Sequence, residues 1–298
     1  MERSYKYKTS PSRIVFLIVA VILLVLIGLA CLLPLWHVIM ASISNPTDLN
    51  VSKDLIFYPL RNVDVTAYKL ILQYQRLWRG YRNTIMYCTL SCVITGVMTV
   101  IAGYVFSRNR FYYRNAFMLI ISFTMLFNGG MIPTYMVIRK LHMLDSVWAI
   151  VVPGCLSVFN ILIMRTSMQG ISDALEEAAR LDGANDFIIM FRIILPLCKA
   201  TFAVVMLFTV VGQWNNFMSA ILYLPTKQNL YPLQMELRTI LYQSTKEITS
   251  ASDVSASSVY ARAVEYAAIV VSTLPILIVY PFVQKYFVTG MTIGAVKA

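Results

Sequence analysis

Long apolar runs constrain this chain more than any other feature of its sequence. Several of them reach the roughly 18 apolar residues that can cross a bilayer as a helix. Of the 298 residues, 58% are hydrophobic and 13% are charged, whereas soluble chains are about one-quarter charged. We predict six spans, over residues 14–40, 83–106, 116–138, 147–168, 198–224 and 263–288. The predicted fold is all-α, a polytopic membrane protein whose residues 1–298 form a single transmembrane domain.

The sequence also argues against several other classes of protein. The spans and their connections leave no room for an ATPase domain, and no G-x-x-x-x-G-K-[ST] phosphate loop is present. The net charge of +11 comes from basic residues scattered near span ends, where lipid headgroups explain them more simply than nucleic acid does. His37 and His142 stand alone, and Cys88 and Cys92 share a helix face that only weakly permits a soft metal. We therefore predict no metal site and no disulfide framework.

One polar segment, residues 172–196, interrupts the apolar runs and still has the pattern of a helix. Asp173 and Glu176 have the spacing of an N-terminal capping pair, in which side-chain oxygens bind the free N–H groups of a first turn. A short apolar strip with charged neighbours follows, which is typical of an amphipathic helix. The strip is Leu175, Ala178, Ala179 and Leu181, and the charged neighbours are Glu176, Glu177 and Arg180.

A second short helix is predicted after a turn at Gly183. Glycine can adopt the left-handed conformation that closes a helix, and Asn185 or Asp186 can cap the helix that follows. That helix, residues 187–194, is strongly apolar and is expected to stop before Pro196, which lacks an N–H. From the residues alone, this pair of helices is either a simple link between spans or a docking surface.

The spacing in this segment resembles the EAA motif of ABC-importer permease subunits. Glu177-Ala178-Ala179 is followed after three residues by Gly183, after nine more by Ile193, and then by Leu195-Pro196, so every position of the pattern is filled. The resemblance implies a cytoplasmic loop between the fourth and fifth spans, whose first helix is a coupling helix seated on an ATPase. The implied coupling residues are Glu176, Glu177, Ala178, Ala179, Asp182 and Gly183.

The whole chain is similar to the permeases of carbohydrate importers, and most to the maltose-permease-type second subunit in the branch that serves oligo- and polysaccharides. Residues 127–133 and 285–297 carry this similarity. It implies a homologous second permease, two ATPase subunits that hold ATP and Mg²⁺, an extracytoplasmic solute-binding protein, and a bacterial plasma membrane. Part of residues 225–262 would enter the cleft of the binding protein. The tail residues implied to contact the ATPases are Gly294, Ala295, Val296 and Lys297.

The orientation follows from the resemblance more than from charge. Six spans put both termini on one side, and the lysines and arginines are divided almost evenly between the two sides. The resemblance places the EAA loop, and with it both termini, in the cytoplasm. The chain would then be a conduit without a bound cofactor, and not an enzyme.

Polar residues within the spans are candidates for the substrate pathway, because polar side chains at membrane depth usually face a cavity or a partner. Amides suit sugar hydroxyls and an indole can cover the apolar face of a sugar, although interhelical packing explains the same residues. The candidates are Gln213, Trp214, Asn215, Asn216, Asn128 and Tyr135. The glycines and proline of residues 128–133 predict either a kinked third span or a span that ends near Phe127 before a re-entrant loop.

Two other functions remain open at this point. An importer of amino acids or peptides would carry the same EAA loop. A secondary transporter would need ion or proton sites, for which intramembrane carboxylates are the usual mark. Glu265 is the only acidic residue close to the interior of a predicted span.

Overall fold

The computed structural model describes the backbone of residues 11–127, 129–250 and 256–295, and the side chains of residues 11–127, 129–242, 259–279 and 281. In chain order the helices are α1 (Pro11–Ser42), α2 (Pro46–Val51), α3 (Thr66–Gln73), α4 (Gln75–Ser107), α5 (Arg114–Leu126), α6 (Met131–Lys140), α7 (Val147–Val151), α8 (Val158–Gln169), α9 (Asp173–Leu181), α10 (Asp186–Ile188), α11 (Leu195–Leu197), α12 (Lys199–Trp214), α13 (Met218–Tyr223), α14 (Leu233–Ser250) and α15 (Ala256–Ala295). No strand occurs in these ranges, and the prediction of an all-α fold is confirmed.

Three helical stretches of the described chain are long and apolar enough to cross a membrane unaided: α1, α4 and residues Val259–Val279 of α15. Three bent pairs of helices could each form one further span, which gives up to six. In the third predicted span, α5 ends at Leu126 and α6 begins at Met131. A helix that ends near Phe127 therefore agrees with the structure better than a continuous kinked one.

The chain packs as two compact units, residues 1–73 with 241–270 and residues 74–240 with 271–298. In the first unit, side chains bind the backbone between α1 and α3. His37 Nδ1 accepts the N–H of Ile56 at 3.0 Å, and the Arg262 guanidinium donates to the carbonyl of Leu49 at 3.1 Å. His37 is thus a hydrogen-bonding residue.

The second unit is built around α4, which packs against α8 and α12. Gly103 allows the close approach of α8, since a Cβ there would lie 3.0 Å from Met164 Cγ. Two buried apolar clusters lie along α4. One includes Tyr104 and Met164, and the other includes Tyr87.

Residues 225–262, which were predicted to reach the binding protein, are called the external loop below. The start of this loop is attached to the first half of α4. The Asn83 amide donates to the carbonyls of Asn229 and Tyr231 at 2.8 and 3.0 Å. The Thr84 hydroxyl accepts the N–H of Leu233, the first residue of α14, at 2.8 Å. All of these donors and acceptors belong to the second unit, so this part of the loop is fixed to α4.

Two glycines of α4 provide a test of this attachment. A Cβ on Gly80 would lie 3.0 Å from the backbone Cα of Leu233, whereas a Cβ on Gly96 would meet only side-chain ends, at 3.4 Å from Phe202 and 3.5 Å from Met206. Replacing glycine by alanine inside a helix raises the free energy of unfolding by about 1 kcal/mol. Overpacking a tight contact lowers it by about 1–3 kcal/mol. We expect Gly96→Ala to leave the melting temperature in detergent unchanged or raised, and Gly80→Ala to lower it. Equal melting temperatures for the two variants would contradict the attachment of the external loop to α4.

Candidate functional site

The first helix of the predicted coupling loop is α9, and its N-terminus is capped by a serine. Ser172 Oγ accepts the N–H of Ala174 at 3.3 Å. The prediction that Asp173 and Glu176 form the cap is therefore wrong. Both carboxylates turn instead toward Arg108 at the end of α4, because a buried guanidinium requires anionic partners.

Arg108 is the hub of this region, and its side chain is 7% exposed. Its Nη1 donates to Asp173 Oδ1 at 3.2 Å, and its Nη2 donates to the carbonyl of Met168, in the last turn of α8, at 3.0 Å. Its Nε forms an ion pair with Glu176 Oε2 at 3.3 Å, without the geometry of a hydrogen bond. The guanidinium also lies 5.4 Å from the centre of the Tyr104 ring. One side chain thus binds residues of α8 and α9 from the end of α4.

Glu176 is the acidic centre of the same network. Its Oε1 accepts hydrogen bonds from the Tyr104 hydroxyl at 3.1 Å and from Arg180 Nη2 at 2.7 Å. Arg180 also pairs with Asp186, across the turn. The hydrogen bond to Glu176 raises the pKa of Arg180, desolvation lowers it, and the charge of Asp186 adds to the rise. Arg180 therefore stays charged, and α9 is joined to the helix that follows it.

The turn between the two helices is a Schellman motif. The N–H of Ala184 donates to the carbonyl of Ala179 at 2.9 Å, and the N–H of Gly183 donates to that of Arg180 at 3.0 Å. Gly183 has φ +82°, the left-handed conformation that the sequence predicted. No atom lies within 4 Å of where its Cβ would be, so the backbone conformation alone requires glycine here.

The second helix begins as predicted but ends later. Asn185 Oδ1 accepts the N–H of Ile188 at 2.9 Å and caps it. The helix does not stop before Pro196 but continues to Leu197, through a π-helical turn at Ile189–Ile194. In that wider turn the N–H of Leu195 donates to the carbonyl of Met190. A wider turn relieves the clash that a proline ring normally makes with the preceding turn.

The two helices are held to the second unit in different ways. Ile189, Met190 and Ile194 are buried in the apolar cluster beneath the loop. In α9 only Glu176 and Ala179 are buried. The apolar packing therefore holds the second helix, and charged contacts hold the first.

The outward surface of α9, which we call the α9 face, combines exposed apolar side chains with two carboxylates. Its members are Leu175, Glu177, Ala178 and Leu181, followed by Asp182 and Gly183 of the turn, and all six are exposed. Leu181 is 89% exposed. Among the residues implied for coupling, Glu176 and Ala179 therefore point inward, and the other four remain on the surface.

The polar stretch predicted for the substrate pathway lies where α12 ends. Trp214 is buried, and its indole N–H donates to the carbonyl of Ser272 at 3.4 Å. Asn215 is exposed and donates to the carbonyl of Val211 at 2.9 Å, and Asn216 Oδ1 accepts the N–H of Ser219 at 3.2 Å. The stretch thus divides the fifth predicted span between α12 and α13. Gln213 is half-buried.

The remaining candidates are more scattered. Tyr135 is half-buried against the cluster that contains Tyr87. Asn128, Val296 and Lys297 lie outside the described residues, and Gly294 and Ala295 are described by their backbone alone.

Sequence reasoning missed Arg108 and Tyr104 as parts of this site. Arg108 is the first of three arginines after the second span, and nothing in its spacing separates it from Arg110. A signal was present in the adjacent Glu176 and Glu177. Neighbours on a helix point about 100° apart, so one carboxylate on the surface leaves the other turned toward the protein and in need of a cation.

Comparisons with known proteins agree with this geometry. The fold is similar to a crystal structure of a bacterial ABC transporter involved in the import of the acidic polysaccharide alginate, with a TM-score of 0.81, 33% identity, and coverage of 94% of this chain and 99% of that chain. The polygalacturonan/rhamnogalacturonan transport system permease protein YtcP of Bacillus subtilis (strain 168) is 36% identical over 275 residues, 92% of this chain and 95% of the relative. Protein LplC of the same strain is 34% identical over 271 residues, 91% of each chain.

The family model that matches covers most of the chain, including the coupling loop, α12 and the last third of α4. Residues 96–293 match the family described as binding-protein-dependent transport system inner membrane component. Members of such a family are membrane components of transport systems and not enzymes, which agrees with the apolar spans of α1, α4 and α15. The chain belongs to the family of binding-protein-dependent transport system inner membrane components.

Proposed function

We propose that this chain is one permease subunit of an ATP-driven importer of oligosaccharides or polysaccharides that works by alternating access. The observation that carries the proposal is the α9 face, where exposed Leu181 and Ala178 lie beside the carboxylate of Glu177. An exposed apolar surface next to a charge is typical of a protein interface. Here its partner is an ATPase subunit that contributes a basic residue for Glu177 and hydrolyses ATP with Mg²⁺.

The length of α4 supports placing the coupling loop and the attached loop on opposite sides of the membrane. The helix from Thr84, which binds the start of α14, to Arg108, which binds α9, is about 36 Å long at 1.5 Å per residue. That exceeds the roughly 30 Å of the hydrocarbon core, so the coupling loop and the attached loop face opposite sides. We assign the coupling loop and both termini to the cytoplasm, and residues 225–262 to the face where a solute-binding protein docks. A homologous permease completes the pathway.

The substrate class comes from the relatives. Two of them are named for polygalacturonan/rhamnogalacturonan transport and for import of the acidic polysaccharide alginate. We therefore expect fragments of acidic polysaccharides to be transported in preference to neutral sugars, amino acids or peptides.

Co-purification and reconstitution test this proposal. The chain is expressed with its neighbouring genes, and the purified complex is placed in proteoliposomes with binding proteins loaded with acidic oligosaccharides, neutral oligosaccharides or peptides. We expect an ATPase to co-purify and acidic oligosaccharides to stimulate it. A stable membrane protein that recruits no ATPase would overturn the proposal, and stimulation by peptides alone would overturn the substrate class.

Asn215 tests whether the polar stretch lies on the substrate pathway. Because the side chain is exposed and, among the described residues, bonds only within its own helix, we expect Asn215→Ala to fold normally, to keep basal ATPase activity and to slow uptake severalfold. Thr166→Ala is the matched control: its exposed hydroxyl also bonds back within its own helix, to the carbonyl of Leu162 at 2.9 Å, and it is not a pathway candidate, so uptake should be unchanged. Unchanged uptake by Asn215→Ala would remove this residue from the pathway.

A further inference from the structure

We infer that Arg108 and Glu176 form the mechanical link that carries displacement of α9 into the transmembrane helices. The inference rests on the proposed docking of an ATPase at the α9 face. It assigns a positioning role to a buried ion pair that touches neither the ATPase nor the substrate.

Apart from its polar contacts, α9 is held weakly. It has nine residues, and only Glu176 and Ala179 are buried. Isolated helices of this length are marginal in water, and burial of one alanine contributes little apolar area. The buried contacts with Arg108 and Tyr104, together with one exposed hydrogen bond from Asn109 to Asp173, therefore position α9 relative to the end of α4.

Those contacts converge on Arg108. It is the residue directly after α4, and its buried guanidinium connects the end of that helix to its partners. It binds the carbonyl of Met168 in α8 and the carboxylates of Asp173 and Glu176 in α9. From the other side, Arg165 of α8 donates to the carbonyl of Phe106 at 2.9 Å. The ends of α4, α8 and α9 are thereby joined at one point.

The two helices of the coupling loop are joined to each other across the turn. Arg180 joins Glu176 to Asp186 on the far side of Gly183. A push on the α9 face therefore moves both helices of the loop together. The ion pair at Arg108 passes that movement to α4, which carries the attached external loop at its other half.

The test replaces the pair without leaving an unpaired buried charge. Substituting apolar residues for a buried ion pair is often neutral, whereas removing one partner is strongly destabilising. In Arg108→Met/Glu176→Met, we expect normal assembly with the ATPase and normal basal hydrolysis, but at least a tenfold loss of uptake per ATP hydrolysed. Arg110→Met is the matched control, because Arg110 is exposed and makes no ion pair within the described part of the chain.

A rescue experiment separates transmission from folding. Asn109 and Asp173 are exposed and joined by a hydrogen bond of 3.0 Å. Cysteines at both positions, in the double variant with the five native cysteines replaced, allow a short reducible crosslinker to rejoin α4 and α9. We expect crosslinking to restore coupled uptake and reduction to abolish it.

Failure of the proposed function and failure of the inference give different results. If the wild-type chain recruits no ATPase, the proposed function fails. If the double variant couples uptake to hydrolysis like wild type, or fails to assemble, or is not rescued by the crosslinker, the ion pair is not the link and the inference is overturned.

Discussion

Leu181→Asp is expected to abolish stable association with the ATPase and, with it, transport. The leucine is 89% exposed on the α9 face, so the substitution leaves the isolated subunit folded. In a docked complex the new carboxylate would be buried without a partner, which costs about 3–5 kcal/mol. That range corresponds to a loss of affinity of about 100-fold or more. Co-purification of the ATPase at defined concentration measures the effect.

Leu181→Met is the control for this substitution. It keeps an apolar side chain of similar volume, a change that is usually tolerated, and should retain both the ATPase and uptake. An Leu181→Asp variant that still co-purified an ATPase stimulated by loaded binding protein would exclude the α9 face as the docking surface.

Gly183→Val is expected to uncouple the complex through the backbone alone. The residue has φ +82° and open space around its Cβ position, so a side chain meets no clash. A β-branched residue in this conformation is strained by about 1–3 kcal/mol. A strain of about 1–2 kcal/mol already lowers the ratio of closed to open turn by a factor of about 5–30. We expect a comparable fall in the ATPase stimulation caused by loaded binding protein.

Gly183→Asn provides the comparison, because asparagine tolerates the left-handed conformation. We expect it to remain near wild type. If the asparagine variant lost as much stimulation as the valine variant, the cause would be the added side chain at an interface and not the turn conformation.

The sequence was sufficient for the parts of the site that depend on local chemistry. The left-handed turn at Gly183 and the cap at Asn185 follow from the conformational preferences of single residues. The all-α membrane fold follows from the length of the apolar runs.

Features that depend on distant residues could not be predicted in the same way. Serine is itself a good N-cap residue, and Ser172 caps α9 by the local rule; what depends on a distant residue is the carboxylate of Asp173, which binds Arg108, more than sixty residues earlier. The helix continues past Pro196 because its buried residues Ile189 and Ile194 are fixed in a cluster with α4 and α8, which stabilises a wide turn. Tertiary contacts therefore decided the role of Asp173 and the end of the second helix.

Site-specific crosslinking from adjacent alanines tests the central claim most directly. Ala178 is exposed on the α9 face, whereas Ala179 is buried against α4 and α8. In membranes that contain the whole importer, with the native cysteines replaced, we predict that a short thiol-reactive crosslinker attaches the ATPase subunit to Ala178→Cys but not to Ala179→Cys. Attachment from neither position, or equally from both, would contradict the claim that this face of α9 receives the ATPase.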